Sequence, residues 1–138
     1  LSKANPESVS TKEFRRLLEA RGAFTLKLSD SFTRGVPDLL VSTNRVVMVE
    51  MKQDFGTGSH RSYKTLGMSG AQDQGIRELC RRNPHSACVV GADPGNEMRC
   101  KLWSPVVPER SGGPFVWYAL AAVGFEEVWS WLTIGSRI

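Results

Sequence analysis

The sequence predicts one α/β domain with a mixed β-sheet flanked by helices, in the order αβββαβ. Three observations carry that expectation. The chain has 138 residues, enough for one core and too few for two ordinary domains. Apolar residues recur at helical spacing twice, at Phe14, Leu17 and Leu18 and again at Ile76, Leu79 and Cys80, with β-branched runs between and after them. Two of those runs are joined by a connection too short for anything but an antiparallel pair, whereas the strand after the second helix is expected to join parallel to a neighbour. Hydrophobic residues make up 41% and charged residues 23%, which excludes wholesale disorder and a fibrous repeat.

Taken in order, Ser10 with Glu13 three residues later has capping-box spacing, and a helix of about three turns follows and ends at Gly22. Residues 23–28 alternate as a strand. Residues 29–35 read as a loop that delivers Val36-Pro37-Asp38-Leu39-Leu40-Val41, and Pro37 places the start of this strand at Asp38. Thr43 and Asn44 make a tight turn into the β-branched run 45–52. Residues 53–70 carry several glycines and few apolar side chains, which predicts a long functional loop that is mobile without ligand. Ser69 and Gln72 repeat the capping-box spacing at the start of the second helix, which Asn83-Pro84 stops. Residues 86–92 suit a strand buried on both faces, 98–103 suit another, and 104–114 read as a loop.

Lys and Arg total 18 against 14 Asp and Glu, a net charge of +4 that permits a polyanionic partner. The balance is uneven: residues 55–101 carry seven basic and four acidic side chains, residues 102–138 two and three. All four tryptophans, Trp103, Trp117, Trp129 and Trp131, fall in the last third, so that segment reads as core or interface. The longest charge-free stretch, Ser111 to Phe125, is too short to span a bilayer and contains Gly and Pro. No targeting signal is seen, and a soluble protein of the cytoplasm or another intracellular compartment is expected. Leu1 is not an initiator Met, so residue 1 is not expected to be the native start. Cys80, Cys88 and Cys100 are an odd, sparse set unlike a secreted disulfide framework. With His85 they could be offered as a zinc set, but no Cys-x-x-Cys pair is present, and buried free thiols are the better reading. Phosphate-loop and dinucleotide fingerprints are absent.

The chemistry lies in the strand pair. Glu50 and Lys52 are two apart in an extended run and project from one face, with Val49 and Met51 on the other. Charged groups at the end of an apolar strand need partners or a metal. Asp38 begins the adjacent strand and can approach Glu50 across the sheet. Two carboxylates held together repel unless a cation sits between them, and a hard divalent ion resolves that repulsion. An ammonium two residues along can steer water and balance charge on a phosphate.

Gly35-Val36-Pro37-Asp38 followed by Glu50-Met51-Lys52 at the end of an apolar strand resembles the PD-(D/E)xK nuclease superfamily. Within it the chain is similar to the virus-type replication-repair nuclease group, VRR-NUC, which is organised like the archaeal Holliday junction resolvases. The likeness runs from about Ser10 to Gly91 and includes Glu13, Lys27, Arg34 to Leu40, Glu50 to Lys52, and Met68-Ser69-Gly70-Ala71-Gln72. It implies a restriction-endonuclease-like core over about 10–103, with residues 104–138 as a Trp-rich extension of the same single domain. It also implies a metal-dependent phosphodiesterase acting on DNA, structure-selective for branched DNA or a Holliday junction, with a virus or phage among its natural sources. By that resemblance Asp38 and Glu50 bind Mg²⁺ or Mn²⁺, the Met51 carbonyl adds a ligand, Lys52 positions water, and Gln72 and Glu13 support catalysis.

Both Glu13 and Gln72 sit at the third position of a capping box, which accounts for either without catalysis. Lys27, Arg34, Arg61 and Lys64 are candidate phosphate contacts, against the plainer reading of solvated cations. His60 could touch DNA or be inert. Two alternatives stay open: a nucleic-acid-binding module of this fold that does not cut, and a site-specific restriction or homing endonuclease. A homodimer would give a junction two sites. Phe115, Val116, Trp117, Tyr118, Phe125, Val128, Trp129 and Trp131 could supply its interface, or could pack as a final helix on the chain's own sheet.

Overall fold

Helix α1 (Pro6–Ala20) starts before the Ser10 spacing predicts, with Pro6 at the first helical position, where a missing N–H costs nothing. The computed structural model describes residues 6–28, 35–53, 58–93, 98–106 and 117–134, with the side chains of 6–8 left aside. Ser10 is therefore a buried residue inside the helix and not its N-cap. The capping-box account of Glu13 falls with it.

The remaining elements are β1 (Phe24–Lys27), β2 (Leu39–Ser42), β3 (Val46–Lys52), β4 (His60–Arg61), α2 (Gly70–Arg82), β5 (Ala87–Asp93), β6 (Arg99–Pro105), β7 (Tyr118–Val123) and α3 (Phe125–Ile134). The strands form one seven-stranded sheet in the order β1-β2-β3-β5-β6-β7-β4. Among the described strands only β3 and β5 pair in parallel, with α2 as part of the crossover between them; the other pairings are antiparallel. The mixed sheet and the succession of one helix, three strands, a helix and a strand are as the sequence predicts, with the two-residue β4 added before α2. No described helix is long and apolar enough to cross a membrane.

Alternation along the strands splits the interior into two cores. Val47, Val49 and Met51 of β3 join Cys88, Val90 and Ala92 of β5 beneath α1 and α3, whose Phe14, Leu18, Val128, Trp131 and Leu132 close that layer. The opposite face sends Ala87, Val89, Trp103 and Tyr118 against Ile76 and Cys80 of α2. Six of the seven β5 residues are buried, as a strand covered on both faces requires.

Two expectations need correction. The stretch 53–70 is not a long loop throughout: His60 and Arg61 pair with β7, and Leu66 and Met68 are buried in the α2-side core. A few well-placed apolar side chains outweigh a glycine-rich composition. The core likewise does not end near residue 103, since β7 lies inside the sheet between β6 and β4, while α3 packs as a final helix on the chain's own sheet, one of the two readings expected of this region. Tyr118, Val128 and Trp131 are buried in their own chain and offer no surface to a second copy, whereas Trp117 is half exposed. Phe115 and Val116 lie outside the described residues.

Candidate active site

Strand β2 begins at Leu39, one residue later than Pro37 predicts. Leu39 pairs with Val49, so continuing the register sets Asp38 opposite Glu50 on the α2 side of the sheet. The N–H of Met51 is the next donor on that edge of β3 and would meet Pro37, beyond the end of β2. The Asp38 carboxylate takes that place, Oδ2 accepting from the Met51 N–H at 2.8 Å. Asp38 is fixed from the other side too, its carbonyl accepting the Leu28 N–H at 2.7 Å.

Glu50 is only 2% exposed. A carboxylate so deeply buried needs donors, and two surround its Oε2: the Gln72 amide at 2.8 Å and the Lys52 ammonium at 3.4 Å. Lys52 Nζ also lies 3.5 Å from Gln72 Oε1. Gln72 belongs to a complete capping box, since its N–H donates to Ser69 Oγ at 3.2 Å while its Oε1 accepts the Ser69 N–H at 3.0 Å. The capping and catalytic readings of Gln72 are therefore not rivals. The helix cap aims the side chain, and the free end of the amide then meets Glu50. Neighbours fix the amide orientation, because Ser69 and Lys52 present donors and Glu50 presents an acceptor.

The donor set is all oxygen: two carboxylates and the Met51 carbonyl, which projects from the same strand edge as the Met51 N–H. It suits a hard cation whose remaining positions are taken by water and substrate, and it lacks the thiolate or imidazole that zinc prefers. Among the described residues no third His, Cys, Asp or Glu joins the pair. Lys52 supplies a compensating positive charge beside Glu50.

Glu13 is not brought to these groups. Helix α1 covers the opposite face of the sheet, and the Glu13 carboxylate is held by Arg16 at 2.5 and 3.0 Å, which keeps its pKa below the usual carboxylate range. Lys27 is exposed at the end of β1, and Arg34 lies outside the described residues. His60 and Arg61 stand on the far edge strand, four places from β3 in the sheet order. Arg61 donates to the Thr65 carbonyl at 2.5 Å and lies over the Trp103 ring of β6, and Lys64 is exposed in the adjoining turn, where its carbonyl accepts the N–H of Gly67, a residue at which a Cβ would stand 4.0 Å from Lys52 Cδ. Cys80, Cys88 and Cys100 are buried free thiols, all with raised pKa values from burial, Cys100 up to about 12.

One cluster escapes the sequence reading. Asp73, next to Gln72, is buried and accepts from Tyr118 Oη at 2.7 Å and from Arg77 Nη2 and Nε at 2.9 and 3.0 Å. It ties α2 to β7, so the C-terminal strand helps to hold the helix that carries Gln72. Asp73 and Arg77 have the spacing of an ordinary surface pair, and nothing in the sequence points to Tyr118 as a partner.

No protein-family model, curated protein or solved structure matches this chain.

Proposed function

We propose that the protein is a Mg²⁺- or Mn²⁺-dependent DNA endonuclease with a restriction-endonuclease-like core of the PD-(D/E)xK type. The observation that carries the reading is the buried Glu50, set opposite Asp38 in register and ringed by Lys52 and Gln72. The Met51 N–H accounts structurally for one oxygen of Asp38, and Lys52 and Gln72 account for one oxygen of Glu50, but neither contact accounts for the two carboxylates facing each other across the strands. Phosphodiester hydrolysis gives a reason for all four groups.

Asp38 and Glu50, with the Met51 carbonyl, would hold the ion. The ion supplies Lewis acidity toward a phosphate oxygen and lowers the pKa of water at the site. The chain's own residues supply position and charge. The Met51 N–H fixes the Asp38 carboxylate through one oxygen and leaves the other for a ligand. Gln72 holds Glu50 through Oε2. Lys52 keeps a positive donor beside the carboxylates, where it orients the attacking water and offsets negative charge on the phosphate in the transition state. One P–O bond forms and one breaks, with no redox change.

A structure-selective substrate, branched DNA or a four-way junction, is what the likeness to the junction resolvases implies. Symmetric cutting of a junction asks for two copies of the chain, which light scattering checks. The test of function is incubation with Mg²⁺, Mn²⁺ or EDTA and a panel of four-way junction, flap, single-stranded and linear duplex DNA. Metal-dependent cleavage of the branched substrates is expected. Retarded but uncut DNA in every metal would mean a binding module, and cleavage of duplex at one fixed sequence would mean a site-specific endonuclease.

A further inference from the structure

Glycine is among the poorest helix formers, yet Gly75 lies in the interior of α2, three residues beyond Gln72. The reason is contact. A Cβ at Gly75 would stand 2.2 Å from the carbonyl oxygen of Gly35 and 3.2 Å from its carbonyl carbon. The approach is reciprocal, because a Cβ at Gly35 would stand 2.6 Å from the Ala71 carbonyl oxygen, and Gly35 has a φ of +81° that favours glycine in any case. Backbone therefore lies directly on backbone where the segment leading to Asp38 crosses the helix carrying Gln72. By contrast Gly70, in the first turn of the same helix, has open space where a Cβ would go.

Gly35 is three residues from Asp38, and Pro37 stiffens the link between them. The depth at which this segment seats on α2 thus sets how far Asp38 reaches toward Met51 and Glu50. We propose that Gly75 is a positioning residue for the candidate metal site: its missing side chain lets the segment seat deeply enough for Asp38 to meet the Met51 N–H and face Glu50. This rests on the reading of Asp38 as a metal-binding group, but the seating itself can be read without metal or DNA.

The test compares Gly75→Ala with Gly70→Ala, which adds the same methyl to the same helix without a clash. The reporter is the Met51 amide in ¹⁵N-labelled, metal-free protein, where the bond from Asp38 should give a downfield proton shift and slow hydrogen exchange. Gly75→Ala is expected to lose both and to weaken Mn²⁺ binding by about tenfold or more; Gly70→Ala is expected to keep all three. An unchanged Met51 amide in Gly75→Ala, or an equal change in both variants, would overturn the proposal. If Gly75→Ala does not fold, the wild-type protein decides: a nuclear Overhauser contact between the α-protons of Gly75 and Gly35 is expected, and its absence would overturn the seating. If the wild-type protein binds no Mn²⁺, the nuclease reading fails while the amide comparison still judges the role of Gly75.

Discussion

Gln72→Glu separates the two tasks of one side chain. A carboxylate at position 72 can still accept the Ser69 N–H, so the helix cap survives, but it cannot donate to Glu50 Oε2, which now receives the amide at 2.8 Å. Losing a hydrogen bond to a charged group costs about 1.5–3 kcal/mol. Two ionised carboxylates at that separation would repel by up to about 6 kcal/mol at an effective dielectric constant of 20, less whatever Lys52, 3.4 Å from Glu50, offsets. Protonation caps the total, because a neutral carboxyl at position 72 regains a donor for Glu50. Holding a carboxyl of ordinary pKa near 4.3 in its neutral form at pH 7 costs about 4 kcal/mol. We therefore expect Gln72→Glu to be about 2–4 kcal/mol less stable than wild type at pH 7. The folded variant binds more protons than the unfolded chain, so the deficit should shrink as pH falls and nearly vanish by about pH 4.5. Ser69→Ala, which removes only the cap, should cost about 1 kcal/mol at every pH. Urea unfolding followed by tryptophan fluorescence from pH 4.5 to 8 measures both variants. A Gln72→Glu deficit below about 1 kcal/mol, or one that does not vary with pH, would mean that Gln72 is a helix cap and nothing more.

Asp38→Asn should keep its fold to within about 1 kcal/mol, since the amide oxygen can still accept the Met51 N–H, while calorimetry should show Mn²⁺ affinity falling by about tenfold or more. Tyr118→Phe removes the 2.7 Å bond to buried Asp73 and should cost about 1.5–3 kcal/mol in urea unfolding. Burial holds the Cys100 thiol at a pKa of about 12 in the folded state, against about 8.5 for a free thiol. The unfolded chain therefore loses this proton first, and the stability tied to it is fully present below about pH 8.5 and declines as pH rises toward the folded value, by about 1.4 kcal/mol per unit. Cys100→Ala should flatten the alkaline arm of the stability profile by that slope.

The site was legible where local pattern and long-range pairing coincide. Asp38, Glu50 and Lys52 could be placed together because a short hairpin fixes cross-strand register and strand alternation fixes the face. Gln72 could be placed because a helix cap is written in four consecutive residues. Ser10 and Glu13 had the same local signature, but Pro6 starts the helix earlier and Phe14 and Leu18 bury it on the other face. Contacts made by distant segments left no local trace. Tyr118 reaches Asp73 from another strand, and Leu66 and Met68 enter the core from a polar stretch. Gly75 did carry a sign, an unneeded glycine within a helix, but its partner Gly35 becomes evident only once the two backbones meet.

If a divalent ion held by Asp38 and Glu50 makes this chain a nuclease, one paired measurement shows it. Wild-type and Glu50→Gln proteins, both first confirmed as folded, are titrated with Mn²⁺ and assayed for cleavage of a labelled four-way junction in the same samples. The wild type should bind the ion and cut, with cleavage following occupancy and abolished by EDTA. Glu50→Gln, whose neutral amide keeps the shape of the side chain, should bind Mn²⁺ at least about tenfold more weakly and leave the junction intact. Cleavage by the wild type in EDTA, or undiminished cleavage by Glu50→Gln, would contradict the account.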